Sequence, residues 1–435
     1  MKFKLTTWIL IGMLAGIVVG QFCHARYVDA QEAKAVAGYF SVVTDLFLRL
    51  IKMIVAPLVL STLVVGVAKM GDLGAIGRIG AKTLGWFFGA SFISLALGAL
   101  LANWWQPGLG LNLPLPDASA SSGLKTSSLT LKEFVTHLVP RSLFEALATN
   151  EILQIVVFAG FFSVAIASIG KPADGVVHLL DQVAHIMLRV TGYVMKLAPL
   201  AVFAAMASIV TTQGLGVLKT YGTFMGEFYL GLLTLWAVLT AAGLLVLGPR
   251  VFNLLKLLRA PMLLAFSTAS SEAAYPKTLE QLERFGVPNK IGSFVLPMGY
   301  SFNLDGSMMY CTFAALFIAQ AYGVELSIGQ QLTMLAILML TSKGMAGVPR
   351  ASLVVIAATL AQFNIPEAGL LLIMGVDQFL DMGRSVTNVL GNGIATSVLA
   401  KWEGELGAER SEDLPAEALL DAEAAAGDDG VRRVA

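Results

Sequence analysis

A row of polar side chains lies within the apolar segment 369–400, and these residue types could bind a charged solute. The row contains two carboxylates, a guanidinium, a hydroxyl and two amides: Asp377, Asp381, Arg384, Ser385, Asn388 and Asn392. At about 100° per residue, these side chains share an arc of roughly 100° on one helix face. A charge at the centre of a bilayer costs about 2.5–3.5 kcal/mol on insertion scales, so this face must contact protein or water. The row is therefore a candidate functional site.

The composition indicates the class of protein that holds this helix. The chain has 435 residues, of which 56% are hydrophobic and 13% are charged, and its formal net charge is zero. A soluble domain carries about 25% charged residues. Long apolar runs favour membrane helices over a β-barrel, in which polarity alternates along each strand. We therefore predict an all-α polytopic membrane protein, and no basic cluster indicates a nucleic acid partner.

Cysteine and histidine usage indicates no metal or redox chemistry. Cys23 and Cys311 lie in or beside apolar segments without a CxxC motif, and the four histidines form no HExxH motif. Buried thiols are the ordinary use of such cysteines, and the histidine pattern disfavours a metalloenzyme. We expect no cofactor and no firm metal site.

Six apolar spans precede residue 250. They lie at about 7–23, 41–70, 83–105, 151–170, 183–212 and 222–248. Lys2 and Lys4 before the first span favour a cytoplasmic amino terminus. Residues 106–149 are rich in Pro, Gly, Ser and Asn, which predicts a long external loop. The acidic, alanine-rich residues 404–435 predict a disordered cytoplasmic tail.

Two later segments are broken by polar tips. The first, at about 250–286, breaks at residues 267–272, and neither half has the roughly 17 apolar residues that a span needs. The second, at about 326–365, breaks at residues 342–352, where Gly and Pro prevent a continuous helix. We predict two re-entrant hairpins, each followed by a broken or polar helix, at about 290–323 and 366–402. The result is eight transmembrane helices plus two hairpins, consistent with an inverted repeat around a binding site.

The chain resembles the dicarboxylate/amino acid:cation symporters, which include the excitatory amino-acid transporters. Five segments carry the resemblance in the family's order: FLRLIKMIVAPLV at 47–59, STASSEAAYP at 267–276, GYSFNLDGS at 299–307, AGVP at 346–349 and DQFLDMGRSVTNVLGNG at 377–393. The resemblance covers nearly the whole chain up to residue 403. It implies a secondary active symporter with a small anionic substrate and not an enzyme.

The resemblance also implies an architecture and a location. Residues 1–249 would supply six helices, comprising a static trimerisation scaffold and two helices, the third and sixth, of a moving transport domain. Residues 250–403 would form the rest of that domain, which carries the substrate across the bilayer like an elevator. The expected assembly is a homotrimer in the bacterial cytoplasmic (inner) membrane, with both termini in the cytoplasm.

By the same resemblance, Arg384 grips the substrate side-chain carboxylate, Asp381 receives the substrate ammonium, and Asn388 contacts the α-carboxylate. A guanidinium can hold a carboxylate with two parallel hydrogen bonds. The alternative role for Arg384 is a structural ion pair with Asp381 or Asp377. Hydroxyls are expected around the pocket at Ser270, Ser271, Ser307 and Ser385. For each serine the alternative is a bond to the carbonyl four residues earlier.

Asp381 bears on which substrate is carried. A carboxylate at this place suits the amine of glutamate or aspartate, whereas it would repel a C4-dicarboxylate such as succinate, malate or fumarate. The acidic amino acid is therefore favoured, and a C4-dicarboxylate is the alternative. A proton on Asp381 would make the site serve either substrate.

The coupling cation is either a proton or sodium. Asn303 and Asp305 fit the sodium-coupled pattern, but Asn392 replaces a carboxylate, and Phe87 and Ala90 stand where oxygen-bearing side chains are expected. Ser91 alone keeps an oxygen among those three positions of the third helix. Losing these ligands should weaken sodium binding, so proton coupling is favoured. The proton-carrier candidates are Glu272, Asp305, Asp377 and Asp381, with Asn303, Asn388 and Asn392 as further candidate ligands of the coupling ion.

The tip of the second hairpin is expected to be the external gate. The resemblance assigns this role to Ala346, Gly347, Val348 and Pro349, whose glycine supplies backbone freedom. Arg350 departs from the family pattern, either attracting anions at the entrance or pairing with a nearby acid.

Two other classes of function fit the sequence less well. An intramembrane aspartyl protease could use Asp305 and Asp377, but the chain has no GxGD motif. An anion channel is disfavoured by the predicted lid and hairpins, which do not suit a permanently open pore.

Overall fold

A computed structural model describes residues 5–70, 73–109, 136, 139–216, 221–342, 351–374 and 376–410. Within these ranges, all regular secondary structure is helical. The prediction of an all-α protein is therefore confirmed.

Eight α-helices cover the described part of the first 249 residues. They are α1 (Leu5–Arg26), α2 (Ala30–Met70), α3 (Leu73–Trp105), α4 (Leu143–Thr149), α5 (Ile152–Ile169), α6 (Asp174–Met195), α7 (Ala198–Gln213) and α8 (Gly222–Leu247).

The span expected at 183–212 is two helices instead of one. Helices α6 and α7 meet at an angle of 52° across a short break. Pro199 lies in the first turn of α7, where its missing N–H costs nothing, and a proline there discourages the preceding residues from continuing a helix. The predicted boundary missed this bend because both halves are apolar.

Eight further α-helices follow residue 249. They are α9 (Arg250–Thr268), α10 (Tyr275–Phe285), α11 (Asn289–Phe302), α12 (Asp305–Ala321), α13 (Ile328–Thr341), α14 (Ala351–Gln362), α15 (Leu370–Met374) and α16 (Asp377–Trp402).

Helices α9 and α10 form a helical hairpin, which we call hairpin 1. Helix α9 ends at Thr268, the φ of 49° at Ala269 turns the chain, and α10 brings it back. Arg250 Nη2 donates to the Phe285 carbonyl over 3.0 Å, so the first residue of α9 lies beside the last residue of α10. The antiparallel arms fit the predicted hairpin, while its re-entry into a bilayer stays a prediction.

The expected interruption of the next helix is present. Asn303 and Leu304 are non-helical and separate α11 from α12. The second predicted hairpin corresponds to α13 and α14. Its tip, with the candidate gate residues Ala346, Gly347, Val348, Pro349 and Arg350, lies outside the described residues.

Hydropathy alone gives a slightly different set of spans from the predicted one. In the described ranges, seven helices are long and apolar enough to cross a membrane, or eight if α6 and α7 form one span. Arg250–Thr268, the first arm of hairpin 1, is among the seven. Helix α16 is not, because its polar residues lower its mean hydropathy.

The polar helix α16 lies inside the protein. It packs against α8, α9, α11 and α12, and glycines allow the close contacts. Gly383 faces Tyr229 of α8, and Gly393 faces Leu258 of α9. The surrounding elements are also buried, since the best window of Asn289–Ala321 is 94% buried against 17% for that of Thr7–Arg26. Burial thus places the polar residues of α16 against protein, as the cost of charges in lipid requires.

Candidate functional site

Arg384 is the centre of a buried cluster of charges. Its side chain is 1% exposed, and Nη2 lies 3.2 Å from Asp377 Oδ1 and 2.9 Å from Asp381 Oδ1. These partners stand seven and three residues earlier on α16, so the helical repeat brings all three side chains to one face. The carboxylates stabilise a guanidinium that would otherwise be too costly to bury.

Tyr310 of α12 completes this cluster. The Arg384 guanidinium carbon lies 4.1 Å from the centre of the Tyr310 ring, within the range of a cation–π contact. The Tyr310 hydroxyl donates to Asp377 Oδ1 over 3.1 Å. Asp377 therefore has a phenol donor and a cation on the same oxygen, which hold its side chain in place.

Arg384 keeps donor capacity beyond these contacts. Its Nε and Nη1 are buried and have no hydrogen-bond partner among the described residues. Asp381 is more exposed than Asp377: 28% of the Asp381 side chain is exposed, compared with 2% of the Asp377 side chain. A bound carboxylate could accept from Nη1 and replace the more exposed partner Asp381 at Nη2. Nη1 and Nη2 together would then present the two parallel donors that a carboxylate matches.

One turn along α16, Asn388 binds the start of α12. Its Oδ1 accepts from the backbone N–H groups of Gly306, at 2.9 Å, and Ser307, at 3.4 Å. Its Nδ2 donates to Ser307 Oγ over 3.2 Å. Asn388 thus satisfies N–H groups that the first turn of a helix leaves open, and it joins the broken helix to α16. The Ser307 contact uses one of the two N–H donors of Nδ2.

A second polar cluster lies where α11 and α12 are broken. Asn303 Nδ2 donates to Asp305 Oδ2 and to Asn392 Oδ1, both over 3.1 Å. All three side chains are at most 1% exposed. Asn303 Oδ1 and Asn392 Nδ2 have no hydrogen-bond partner in the described part of the chain. Ser91 also reaches this region, because its Oγ donates to the Phe302 carbonyl over 3.3 Å.

Ser94 joins α3 to the second cluster. Ser94 Oγ lies 2.8 Å from the Ala90 carbonyl and 3.2 Å from Asp305 Oδ1. Ser94 Oγ is the donor in both contacts, and the second one joins α3 to the first residue of α12.

The serines of hairpin 1 lie at its turn. Ser270 Oγ accepts from the Ala273 N–H over 3.2 Å, and Ser271 is buried. Ser270 and Glu272 line a cleft whose opposite wall is Lys52 of α2. Ser270 thus faces the predicted scaffold on one side. Substrate binding by Ser270 and Ser271, and proton transfer by Glu272, stay predictions.

The geometry therefore groups the predicted residues into two clusters on α16. Asp377, Asp381 and Arg384 form the first, and Asn388 and Ser307 adjoin it along the helix. Asn303, Asp305 and Asn392 form the second. Ser385 is buried beside Arg384 in the chain.

Tyr310 and Ser94 were missed by sequence reasoning. Each lies in an apolar helix as an isolated polar residue, and such residues ordinarily bond to their own helix or fill the core. A helical offset could have suggested Tyr310, since it stands three residues after Ser307 on the same helix face. Its contact with Arg384 depends on how α12 packs against α16.

Comparison with known proteins gives one family and several relatives. A model of the sodium:dicarboxylate symporter family matches residues 5–402. The chain is 40% identical over 422 residues to a proton/sodium-glutamate symport protein of Bacillus caldotenax, covering 96% of this chain and 98% of that protein. It is 40% identical to the proton/glutamate-aspartate symporter of Escherichia coli, covering 92% and 93% of the two chains. It is 41% identical to a C4-dicarboxylate transport protein of Citrifermentans bemidjiense, covering 84% and 85%.

Proposed function

Because this chain belongs to the sodium:dicarboxylate symporter family, we propose that it is a secondary active symporter that imports glutamate or aspartate with a cation. Two of the relatives are named as symporters of glutamate, or of glutamate and aspartate, coupled to protons or sodium. Their similarity extends over nearly the full length of both chains. The proposal assigns this chain a transport function and no catalysed reaction, and it includes no cofactor beyond the coupling cation.

The observation that carries the proposal is the state of Arg384. It is a buried guanidinium with two nitrogen donors that have no partner among the described residues. A buried donor without an acceptor costs about 1–3 kcal/mol, and more when it is charged. An arriving carboxylate removes that cost, so the site is built to hold an anion. A purely structural ion pair would be expected to use the donors of Arg384 more fully.

The charges of the first cluster favour an amino acid over a C4-dicarboxylate. Asp377, Asp381 and Arg384 together carry a net charge of −1 when ionised. An acidic amino acid has two carboxylates and one ammonium, and the ammonium can pair with Asp381 once a substrate carboxylate displaces it from Arg384. A C4-dicarboxylate would bring a second negative charge and no partner for Asp381. It remains the alternative substrate, because one relative is named as a C4-dicarboxylate transport protein.

We further propose a proton as the coupling cation, carried by Asp305. Among the four candidate carboxyls, Asp377 and Asp381 are paired with Arg384, and Glu272 lines the cleft near Lys52. Asp305 is fully buried, and its carboxyl group accepts hydrogen bonds from the uncharged side chains of Asn303 and Ser94. Asn392, Phe87 and Ala90 weaken the case for sodium, because a hard cation must replace its lost water with oxygen ligands. Sodium coupling is the alternative.

In the proposed mechanism, a transport domain moves across the membrane against a static scaffold. The transport domain consists of α3, α8 and α9–α16, and the scaffold consists of α1, α2 and α4–α7. The contrast in burial supports this division, since the α11–α12 window is 94% buried and the α1 window is 17% buried. Apolar residues exposed on α1, such as Leu14 and Val18, suit contact with lipid or with other subunits. We propose a homotrimer in the bacterial cytoplasmic membrane, with both termini in the cytoplasm.

Uptake by purified protein in liposomes tests both parts of the proposal. Labelled aspartate, glutamate and succinate are supplied under a proton gradient alone, a sodium gradient alone, and neither. We expect accumulation of aspartate or glutamate under the proton gradient and weak uptake of succinate. Uptake that needs sodium and ignores the pH difference would refute proton coupling. Strong succinate transport without amino acid transport would refute the proposed substrate.

A further inference from the structure

The chain turns back along the protein after α16 instead of leaving it. We call residues 403–410 the strap. Residues 404–410 were predicted to belong to the disordered tail, and the structure places the strap against helix ends. Glu403 begins the strap, and its carboxylate accepts from Arg78 Nη2 over 2.9 Å and from Lys82 Nζ over 2.6 Å. Burial would raise the pKa of Glu403, but the hydrogen bonds from Lys82 and Arg78 hold it below its ordinary value. The start of the strap is thus fixed to α3.

The middle of the strap binds the link between hairpin 1 and α11. Lys290, in the first turn of α11, pairs with Glu405 at 2.5 Å. The Gly407 N–H donates to the Gly286 carbonyl, and the Arg410 N–H donates to the Arg284 carbonyl, both over 2.8 Å. Backbone bonds of this kind fix the path of the strap independently of its side chains.

Arg250 joins both arms of hairpin 1 to the strap. Its Nη2 donates to the Phe285 carbonyl over 3.0 Å and to the Gly407 carbonyl over 2.8 Å. Its guanidinium carbon lies 5.0 Å from the centre of the Phe285 ring. Arg250 Nε lies 3.7 Å from Glu409 Oε1. One guanidinium therefore holds the start of α9, the end of α10 and the strap together, which needs its planar array of donors.

Close packing at Gly286 also depends on the strap. Gly286 has a φ of 103°, and a Cβ at this position would lie 2.6 Å from the Gly407 carbonyl oxygen. The glycine is required both by its positive φ and by the approach of the strap. The end of hairpin 1 and the strap therefore fit each other closely.

The partners of the strap share one property. They lie in α3, in both arms of hairpin 1 and at the start of α11, and the strap itself continues α16. All of these elements belong to the proposed moving domain. They carry both polar clusters, through Arg384 and Asn392 on α16 and Ser94 on α3, as well as the serine tip of hairpin 1.

We propose that the strap is a clasp that fixes the base of hairpin 1 to α3, α11 and α16, and so positions the tip serines Ser270 and Ser271 toward the substrate. This inference rests on the proposed function, because it assigns a role in substrate binding. It makes Arg250 a positioning residue that does not touch the substrate. The clasp stays closed while the domain moves, so hairpin 1 travels as a fixed wall of the site.

Substitutions of Arg250 test the positioning role. Arg250→Gln removes the positive charge and the planar set of guanidinium donors, whereas Arg250→Lys keeps only the charge. Lys256→Gln is the matched control, because it removes an exposed cation from the same helix. We expect Arg250→Gln to raise the KM for aspartate about tenfold, the factor given by one charge-assisted hydrogen bond, with the maximal rate nearly unchanged. Arg250→Lys should restore little of this loss, and Lys256→Gln should match wild type.

Hydrogen–deuterium exchange measures the clasp without transport. In Arg250→Gln, exchange should increase in peptides covering residues 403–410 and also in those covering 267–274 at the hairpin tip. Faster exchange in the strap alone, with an unchanged tip and an unchanged KM, would overturn the proposal. If wild-type protein fails to take up substrate, the proposed function is wrong, while the exchange at the tip still decides whether the clasp orders hairpin 1.

A cross-link tests whether the clasp stays closed. Asn253 Nδ2 lies 3.3 Å from Glu409 Oε1, so Asn253→Cys with Glu409→Cys can be joined by a short bifunctional methanethiosulfonate reagent, whose disulfide links are reversed by reduction. Each single cysteine variant, treated in the same way, controls for reaction at Cys23 and Cys311. We expect the cross-linked protein to take up aspartate at the rate of the untreated double variant. Loss of uptake on cross-linking that is regained on reduction would show that the strap must open.

Discussion

The two polar clusters on α16 lie about 12 Å apart along one helix and have opposite electrostatic needs. The cluster around Arg384 has surplus donors, because Nε and Nη1 of that residue lack partners among the described residues. The cluster around Asp305 holds a fully buried acid, and Asn303 adds an oxygen that likewise lacks a partner there. The first cluster therefore suits an anion, and the second suits a proton or another small cation.

Under the proposed function, this difference lets a single helix bind two solutes of opposite charge. Each cluster, when empty, carries a free-energy cost, because burying a polar or charged group without a hydrogen-bond partner is unfavourable. Loading both clusters places an anion and a cation in the same domain, which lowers the cost of moving either through a low-dielectric environment. Removing one feature at a time from one cluster shows whether the other cluster responds.

The largest effect is expected from Arg384→Ala, which removes the cation of the first cluster. Truncating one partner of a buried charge pair costs about 2–5 kcal/mol, so aspartate affinity should fall by about 30- to several-thousand-fold. Uptake and exchange of acidic substrates should both disappear while the protein remains folded by circular dichroism. Arg384→Lys is the matched variant, and it should recover little affinity because it lacks the fork. Wild-type uptake by Arg384→Ala would remove this residue from the site.

Asp305→Asn should separate the two clusters. The amide preserves the shape of the side chain but cannot bind and release a proton, so accumulation driven by a proton gradient should be lost. Exchange of internal for external aspartate needs no net proton movement and should persist, in contrast to Arg384→Ala. Both modes are measured with labelled aspartate in the same liposomes. Accumulation that still responds to the pH difference would exclude Asp305 as the carrier.

Asp381→Asn should change the choice of substrate within the first cluster. It removes the proposed partner of the substrate ammonium, and a hydrogen bond to a charged group contributes about 1.5–3 kcal/mol. The KM for aspartate should rise by about ten- to hundredfold, whereas succinate, which has no amine, should be affected less or even favoured. Competition of succinate against labelled aspartate measures the ratio. An equal loss for both substrates would contradict the ammonium assignment.

Tyr310→Phe should give the smallest effect. It keeps the ring beneath Arg384 and removes only the hydroxyl bond to Asp377, which is worth about 0.5–1.5 kcal/mol. The KM should rise by about two- to tenfold without a change in the dependence on the proton gradient. Tyr310→Leu also removes the cation–π contact and should cost more. A loss of proton coupling in Tyr310→Phe would show that the clusters are linked through Tyr310.

Much of the fold could be predicted from local sequence. Long apolar runs predict helices because the backbone must satisfy its own hydrogen bonds in a membrane. The breaks at 267–272 and at 303–304 were visible because polar residues interrupt apolar segments. The bend between α6 and α7 was not predicted, since apolar residues continue on both sides of it. The strap was missed as well, because its acidic composition resembles that of a disordered tail.

The candidate site was predicted unevenly, and the reason is the range over which each contact acts. Asp377, Asp381 and Arg384 are neighbours on one helix face, so their spacing predicts their contact. Tyr310 meets Arg384 across 74 positions of the chain, through the packing of α12 on α16. No local pattern reports such a contact.

By itself, the sequence determined the helical class, the broken segments and the polar face of α16, because each follows from hydropathy and from the helical repeat. The tertiary structure decided which donors of Arg384 are used and which are left over. It also placed Ser94 between a carbonyl and Asp305, and it brought the strap to the base of hairpin 1. These features depend on the distances between distant parts of the chain, and those distances are fixed only when the helices pack.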